Sequence, residues 1–158
     1  MEDNSYAGNG LVLPFFAGLV RCETRLYNAL GERLKREHGL VTSQFESLRF
    51  IREHADASVG QLAAEFVIGV GAASKGVDRL EAAGWVVRRP HPSDRRSSLL
   101  ALTPEGERLV TAAEATFLRE LAGLLALALR PEEVAALARA LGALQAALEE
   151  RQIGVPVG

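Results

Sequence analysis

Six basic side chains crowd one short stretch of this chain. Lys75, Arg79, Arg88, Arg89, Arg95 and Arg96 fall between Phe66 and Leu100, against only Asp78, Glu81 and Asp94. Ammonium and guanidinium groups at that density suit phosphate binding, and arginine can also donate bidentately to a guanine edge. The stretch is net +3 inside a chain whose 18 basic and 20 acidic residues total −2, so the remainder carries −5. An unevenly charged, solvated surface is the competing reading. Other chemistry finds less support. His38, His54 and His91 share no metal-ligand spacing, and no nucleophile stands beside a base. No enzyme, metal or cofactor is therefore expected. Gly69-Val70-Gly71-Ala72-Ala73-Ser74 imitates a dinucleotide fingerprint, but a capped helix precedes it where a strand would be required.

Positioning those cations requires elements, and hydrophobic periodicity supplies them. Phe15, Phe16, Leu19, Leu26, Leu30 and Leu34 predict a first helix from about Leu11 to Glu37, stopped near His38-Gly39. Ser43 with Glu46 offers a capping box for a second helix, and Ser58 with Gln61 repeats the device for a short third. A fourth helix runs from the Gly69-Val70-Gly71 break to Ala83, with Gly84 as its left-handed cap. Trp85-Val86-Val87 and Ser97 to Leu102 read as strands around the turn residues Pro90 to Asp94, a hairpin with a basic tip. Thr103-Pro104-Glu105 and Pro131-Glu132-Glu133 open two further helices. In the last of them Val134, Leu137, Leu141, Leu144 and Leu148 form a seam that wants a partner helix.

The fourth helix has two unlike faces. Ala73, Val77 and Leu80 share one, whereas Gly71, Ala72, Lys75 and Arg79 lie opposite. A short helix, then a helix exposing small residues and cations, then a basic hairpin, is the composition of a winged helix-turn-helix. The fold class expected is mainly α, six main helices with a small β-hairpin wing. In a major groove Gly71 and Ala72 would permit close approach, Lys75 could meet guanine or phosphate, and Ser74 could serve either. Arg79, Arg89 and Arg95 would add cations at the rim.

Composition bounds the remaining classes. With 158 residues, 48% hydrophobic and 24% charged, the chain suits one ordered domain and excludes intrinsic disorder. One cysteine excludes a disulfide scaffold. The uncharged run from Asn4 to Val20 follows Glu2 and Asp3 and is broken by Pro14, unlike a signal peptide, and is marginal for a membrane span. A cytoplasmic protein without membrane attachment is expected.

Two motifs then resemble a known family. Asp94-Arg95-Arg96, followed after five residues by Leu102-Thr103-Pro104-Glu105-Gly106, is similar to the D-x-R-x-x-x-x-x-L-T-x-x-G pattern of the MarR family of bacterial transcription regulators. Val77-Asp78-Arg79-Leu80-Glu81-Ala82-Ala83-Gly84-Trp85-Val86 resembles the stretch that ends that family's recognition helix. The resemblance implies a homodimer on double-stranded DNA, most often a repressor at a pseudo-palindromic operator. It implies an N-terminal arm and dimerisation helix over 1–40, a DNA-binding lobe over 41–102 and C-terminal dimerisation helices over 103–158. It further implies that Arg96 enters a minor groove, that Asp94 orients it, and that Arg95 meets phosphate. Gly69, Val70, Gly71 and Ala72 depart from the polar residues many relatives carry at the start of that helix.

The signal such a regulator answers is the least legible part. The resemblance suggests a small aromatic or phenolic effector between the dimerisation helices and the lobe, where Arg21, Arg25 and Tyr27 are candidate contacts, with interface or surface roles as the alternative. Peroxide sensing through Cys22 in the first helix is a second possibility. Tyr27, five positions on, lies about 140° around the helix from it. A winged-helix protein-interaction adaptor without DNA affinity is the rival from another class.

Overall fold

The computed structural model describes residues 10–93 and 97–155. α1 (Val12–His38) ends in a turn carrying Lys35 and Arg36, cations that suit the negative end of the helix dipole. Gly39 terminates it at φ +70, its N–H bonded to Lys35 O. α2 (Thr42–Glu53) opens two residues earlier than the Ser43 and Glu46 box would place it. The working cap is Gln44, whose Oε1 accepts from the Val41 N–H at 3.1 Å, and Ser43 lies inside the helix. α3 (Val59–Glu65) starts as expected, with Ser58 Oγ accepting from the Gln61 N–H at 3.3 Å.

The turn between α3 and α4 (Val70–Ala82) is unusual. Ile68 N–H reaches back to Ala63 O and Val67 N–H to Ala64 O, the bond pattern of a left-handed helix stop. Valine, not glycine, occupies the left-handed position, at φ +52. Such a conformation costs a branched residue roughly 1–2 kcal/mol. Gly84, at φ +80, ends the stretch that follows α4 with no such cost.

β1 (Val86–Pro90) and β2 (Ser98–Leu102) pair antiparallel in the register Val86↔Leu102, Arg88↔Leu100 and Pro90↔Ser98. The two-residue alternation of a strand therefore turns Val86 and Arg88 inward with Leu100, and Val87 and Arg89 outward. α5 (Pro104–Leu125) begins on Thr103, which caps Gly106 N–H at 3.0 Å with Pro104 at the first helical position. The core joins α1, α2, α4, the hairpin and α5 through Leu34, Phe45, Leu48, Leu80, Val86 and Val110, each almost fully buried. Phe45 stacks on Phe117 of α5 at 4.8 Å. His38 and Thr116, 2.8 Å apart, tie the end of α1 to α5, and Arg52 bonds Glu114 at 2.7 Å to tie α2 to it.

α6 (Pro131–Glu150) is different in kind. Its start is set by Pro131 and by Glu133, which accepts from the Arg130 N–H at 2.8 Å, yet no residue of it is buried. Leu137, Leu141, Leu144 and Leu148 remain 38–48% exposed, and Leu13, Phe15 and Phe16 of α1 remain more than half exposed. No helix among the described residues is long and apolar enough to cross a membrane.

Candidate nucleic-acid interface

The surface that carries the basic residues is built on α4. Gly69 caps the helix in an extended conformation, and the N–H groups of Ala72 and Ala73 converge on its carbonyl at 3.0 and 3.1 Å. Ala73, Val77 and Leu80 go into the core at 5%, 1% and 1% exposure, as the sequence periodicity requires. Gly71, Ala72, Lys75 and Arg79 consequently face solvent, with Ser74 half-buried at the edge. Arg89 projects from the outer face of β1. Among the described residues Lys75, Arg79 and Arg89 enter no ion pair, so their charge is available to a partner. Asp94, Arg95 and Arg96 lie outside the described residues.

Arg88 corrects the simple count of cations. Its inward orientation brings its Nη2 to 2.7 Å from Asp78 Oδ1 and its Nη1 onto Glu81, while its backbone N–H also points to Glu81. The hydrogen bond to Asp78, and then that to Glu81, holds the guanidinium firmly in its charged form. Arg88 is thus a clamp between α4 and the wing and not a free cation. The same contact offsets one of the two negative charges of α4, carried by Asp78 and Glu81, that would oppose a polyanion. The net charge of the stretch survives, but it divides into exposed cations beside one ion-pair cluster in which Arg88 offsets half of the charge of two acids. The signal was present in the sequence as pleat parity, since Arg88 shares the side of Val86.

The junction behind the wing explains the glycine that ends the Leu102-Thr103-Pro104-Glu105-Gly106 motif. Thr103 donates through Oγ1 to Gly84 O at 2.7 Å and through its N–H to Trp85 O at 2.9 Å. Gly106 is buried directly beneath, and a β-carbon there would stand 2.1 Å from Trp85 O. The first turn of α5 is therefore pressed against the link between α4 and β1. Trp85 itself packs half-buried against the core.

A separate cleft of about 340 Å³ lies between α1 and the start of α2, lined by Tyr27, Asn28, Gly31, Glu32, Lys35, Val41, Thr42 and Ser43. Of the expected ligand contacts Tyr27 lines it, whereas Arg21 and Arg25 are exposed elsewhere on α1 and the cation at the cleft is Lys35. Burial pushes the Tyr27 phenol above its ordinary range and Glu46 adds to the effect, so at neutral pH the hydroxyl is protonated and able to donate. Ser43, close to that phenol, works in the opposite direction and lowers it. Cys22 is a free, exposed thiol on α1. Among the described residues no group of three His, Cys, Asp or Glu side chains could hold a metal ion.

Residues 38–97 match the sequence profile of the MarR family. The multiple antibiotic resistance protein MarR of Salmonella typhimurium is 34% identical over 67 residues, 42% of this chain and 46% of that protein. An uncharacterized HTH-type transcriptional regulator of Bacillus subtilis, YsmB, is 28% identical over 80 residues, 51% of this chain and 55% of that one. The chain thus spans about half the length of the curated relatives it matches. Solved structures align over more. A mutant MarR from E. coli complexed with operator DNA superposes with a TM-score of 0.76 at 27% identity, covering 84% of this chain and 94% of that one. The fold of Sco3205, a MarR family regulator from Streptomyces coelicolor in complex with DNA, matches with a TM-score of 0.81 at 23% identity over 91% of each chain.

Proposed function

From the premise that this chain belongs to the MarR family, with its winged-helix fold, we propose that it is a homodimeric transcription regulator that binds duplex DNA, acting as a repressor released by a small aromatic ligand. The observation that carries the DNA reading is the solvent face of α4, where Lys75 and Arg79 enter no ion pair among the described residues while the acids beside them are held by Arg88. A helix of that width fits a major groove, and the hairpin behind it reaches the adjacent minor groove, whose negative potential favours an inserted arginine. Arg96 takes that role, with Asp94 orienting it. Arg89 and Arg95 meet phosphates. That a MarR of E. coli is solved in complex with operator DNA supports the DNA reading.

Two lobes joined through α1, α5 and α6 would read half-sites about one helical turn, ~34–36 Å, apart. An effector that favours a dimer with another lobe separation lowers affinity by shifting the population. The cleft between α1 and α2 supports that reading. Its size suits a small ligand, the Tyr27 hydroxyl offers a donor and Lys35 a cation, so an aromatic carboxylate or phenolate fits best.

Binding to a duplex across a salt series tests the proposal. Each lost arginine contact changes the slope of log K against log salt by about 0.9, so Arg96→Ala in a dimer should make the slope less negative by about 1.8. An unchanged slope removes Arg96 from the interface. Salt-independent, negligible affinity for any duplex favours the protein-interaction adaptor instead.

Arg88→Ala separates a clamp from a contact. The variant exposes Asp78 and Glu81 as uncompensated charges facing the DNA, and affinity should fall about tenfold. Adding Asp78→Asn and Glu81→Gln should recover most of that loss if Arg88 acts on the acids. No recovery would mean that Arg88 touches DNA itself.

A further inference from the structure

The first turn of α4 offers almost nothing that can exchange a hydrogen bond with a base. Val70 is the first residue of the helix and is 61% exposed. Gly71 has no side chain, and a β-carbon placed on it would find no atom within 4 Å. Ala72 is exposed, and Ile68 just before the helix is 42% exposed. The first polar side chains are Ser74, half-buried, and Lys75, fully a turn further on. Asparagine, glutamine and arginine, the side chains that read adenine and guanine bidentately, are absent from the helix until Arg79.

Val70 has no structural reason to be a valine. It is not part of the core, and a β-branched residue at an exposed helix position is a weak helix former. An apolar group pressed against a base edge that carries donors and acceptors strips their water and returns no bond, which is unfavourable. One feature of the major groove reverses that sign, the C5 methyl group of thymine. The bare backbone at Gly71 permits the close approach that such a contact needs. Lys75 and Arg79, on the solvent face one or more turns further along the helix, would hold it in the groove through phosphate or guanine while the exposed end of its first turn meets the methyl.

We propose that Val70, the exposed first residue of α4, reads a pyrimidine C5 methyl group, so that each operator half-site carries thymine opposite the first turn of α4. The inference rests on the DNA-binding reading above and adds to it what that helix selects.

Uracil differs from thymine only by the methyl, which makes the test direct. A duplex is first selected by the purified full-length protein from a random pool, and each dT in it is then replaced singly by dU. At one position in each half-site the replacement should weaken binding about 4-fold, the loss of one apolar carbon's burial. Val70→Ser, a change at an exposed position whose fold circular dichroism can verify, should bind the dT and dU duplexes equally well. The inference is overturned if every dT to dU replacement changes affinity by less than about twofold, or if the penalty is undiminished in Val70→Ser. In either case selective binding would persist and the DNA-binding reading would stand. Failure to select any duplex would remove both.

Discussion

Gly106→Ala is expected to lower the unfolding free energy by about 3 kcal/mol, the upper end of what overpacking costs. The new methyl would sit 2.1 Å from the carbonyl oxygen of Trp85 and 2.9 Å from its carbonyl carbon. Both are backbone atoms, so no rotamer change relieves the clash and the first turn of α5 must move away. That movement also strains the bonds from Thr103 to Gly84 and Trp85, which fix the wing to the helical frame. For a chain of this length the loss corresponds to about 6–12 °C in Tm, measured at fixed protein concentration because association shifts Tm. Gly76→Ala is the matched control. It lies inside α4 with nothing within 4 Å of the added carbon, and the same substitution there should stabilise by about 0.8 kcal/mol through helix propensity alone. A loss under about 1 kcal/mol at Gly106 would show that the junction yields, contrary to the dense packing of protein interiors.

The second large effect concerns assembly. Wild-type protein should sediment as a dimer, and the double substitution Leu141→Glu with Leu144→Glu should leave a monomer at micromolar concentration. α6 buries nothing within its own chain, yet four leucines at alternating steps of three and four run along it. Burying what remains exposed of each gains roughly 1 kcal/mol. Against an association cost of about 4–15 kcal/mol the seam is not sufficient alone, and the exposed Leu13, Phe15 and Phe16 of α1 supply further apolar area for the interface. Operator affinity of the monomeric variant should drop at least about 100-fold, because the second half-site contact is then no longer intramolecular. Since α6 contributes no residue to the core, the lobe should keep its helical spectrum. A variant that remains dimeric, or a monomer that binds the operator as tightly as the wild type, would refute this assembly.

Much of the fold was legible in the residues, and the physical reason is distance along the chain. The Ser58 cap, the Thr103-Pro104 start of α5, the stops at Gly39 and Gly84, and the burial of Ala73, Val77 and Leu80 each depend on groups within about one or two helical turns. The start of α2 was misplaced because Ser43 and Gln44 compete as local partners, and the choice turns on how Val41 leaves α1. The exposed face of α4 follows from the same periodicity, and so the candidate interface could be found before its surroundings were known.

What the chain's own pattern determined is the order of elements, the polarity of α4 and the basic stretch. Pleat parity puts Arg88 on the side of Val86, but only the tertiary structure decided which groups it meets there. Arg88 and Arg89 are neighbours in sequence and of one type, yet one is locked to Asp78 and Glu81 and the other enters no ion pair among the described residues. It likewise brought Tyr27 and Lys35 into one cleft while leaving Arg21 and Arg25 outside, and set Gly106 beneath Trp85. Periodicity encodes which side of an element is apolar, because burial is a property of one residue against solvent. Pairing depends on which two surfaces meet, and in this protein that is settled only when the hairpin folds back on α4 and α5 closes over both.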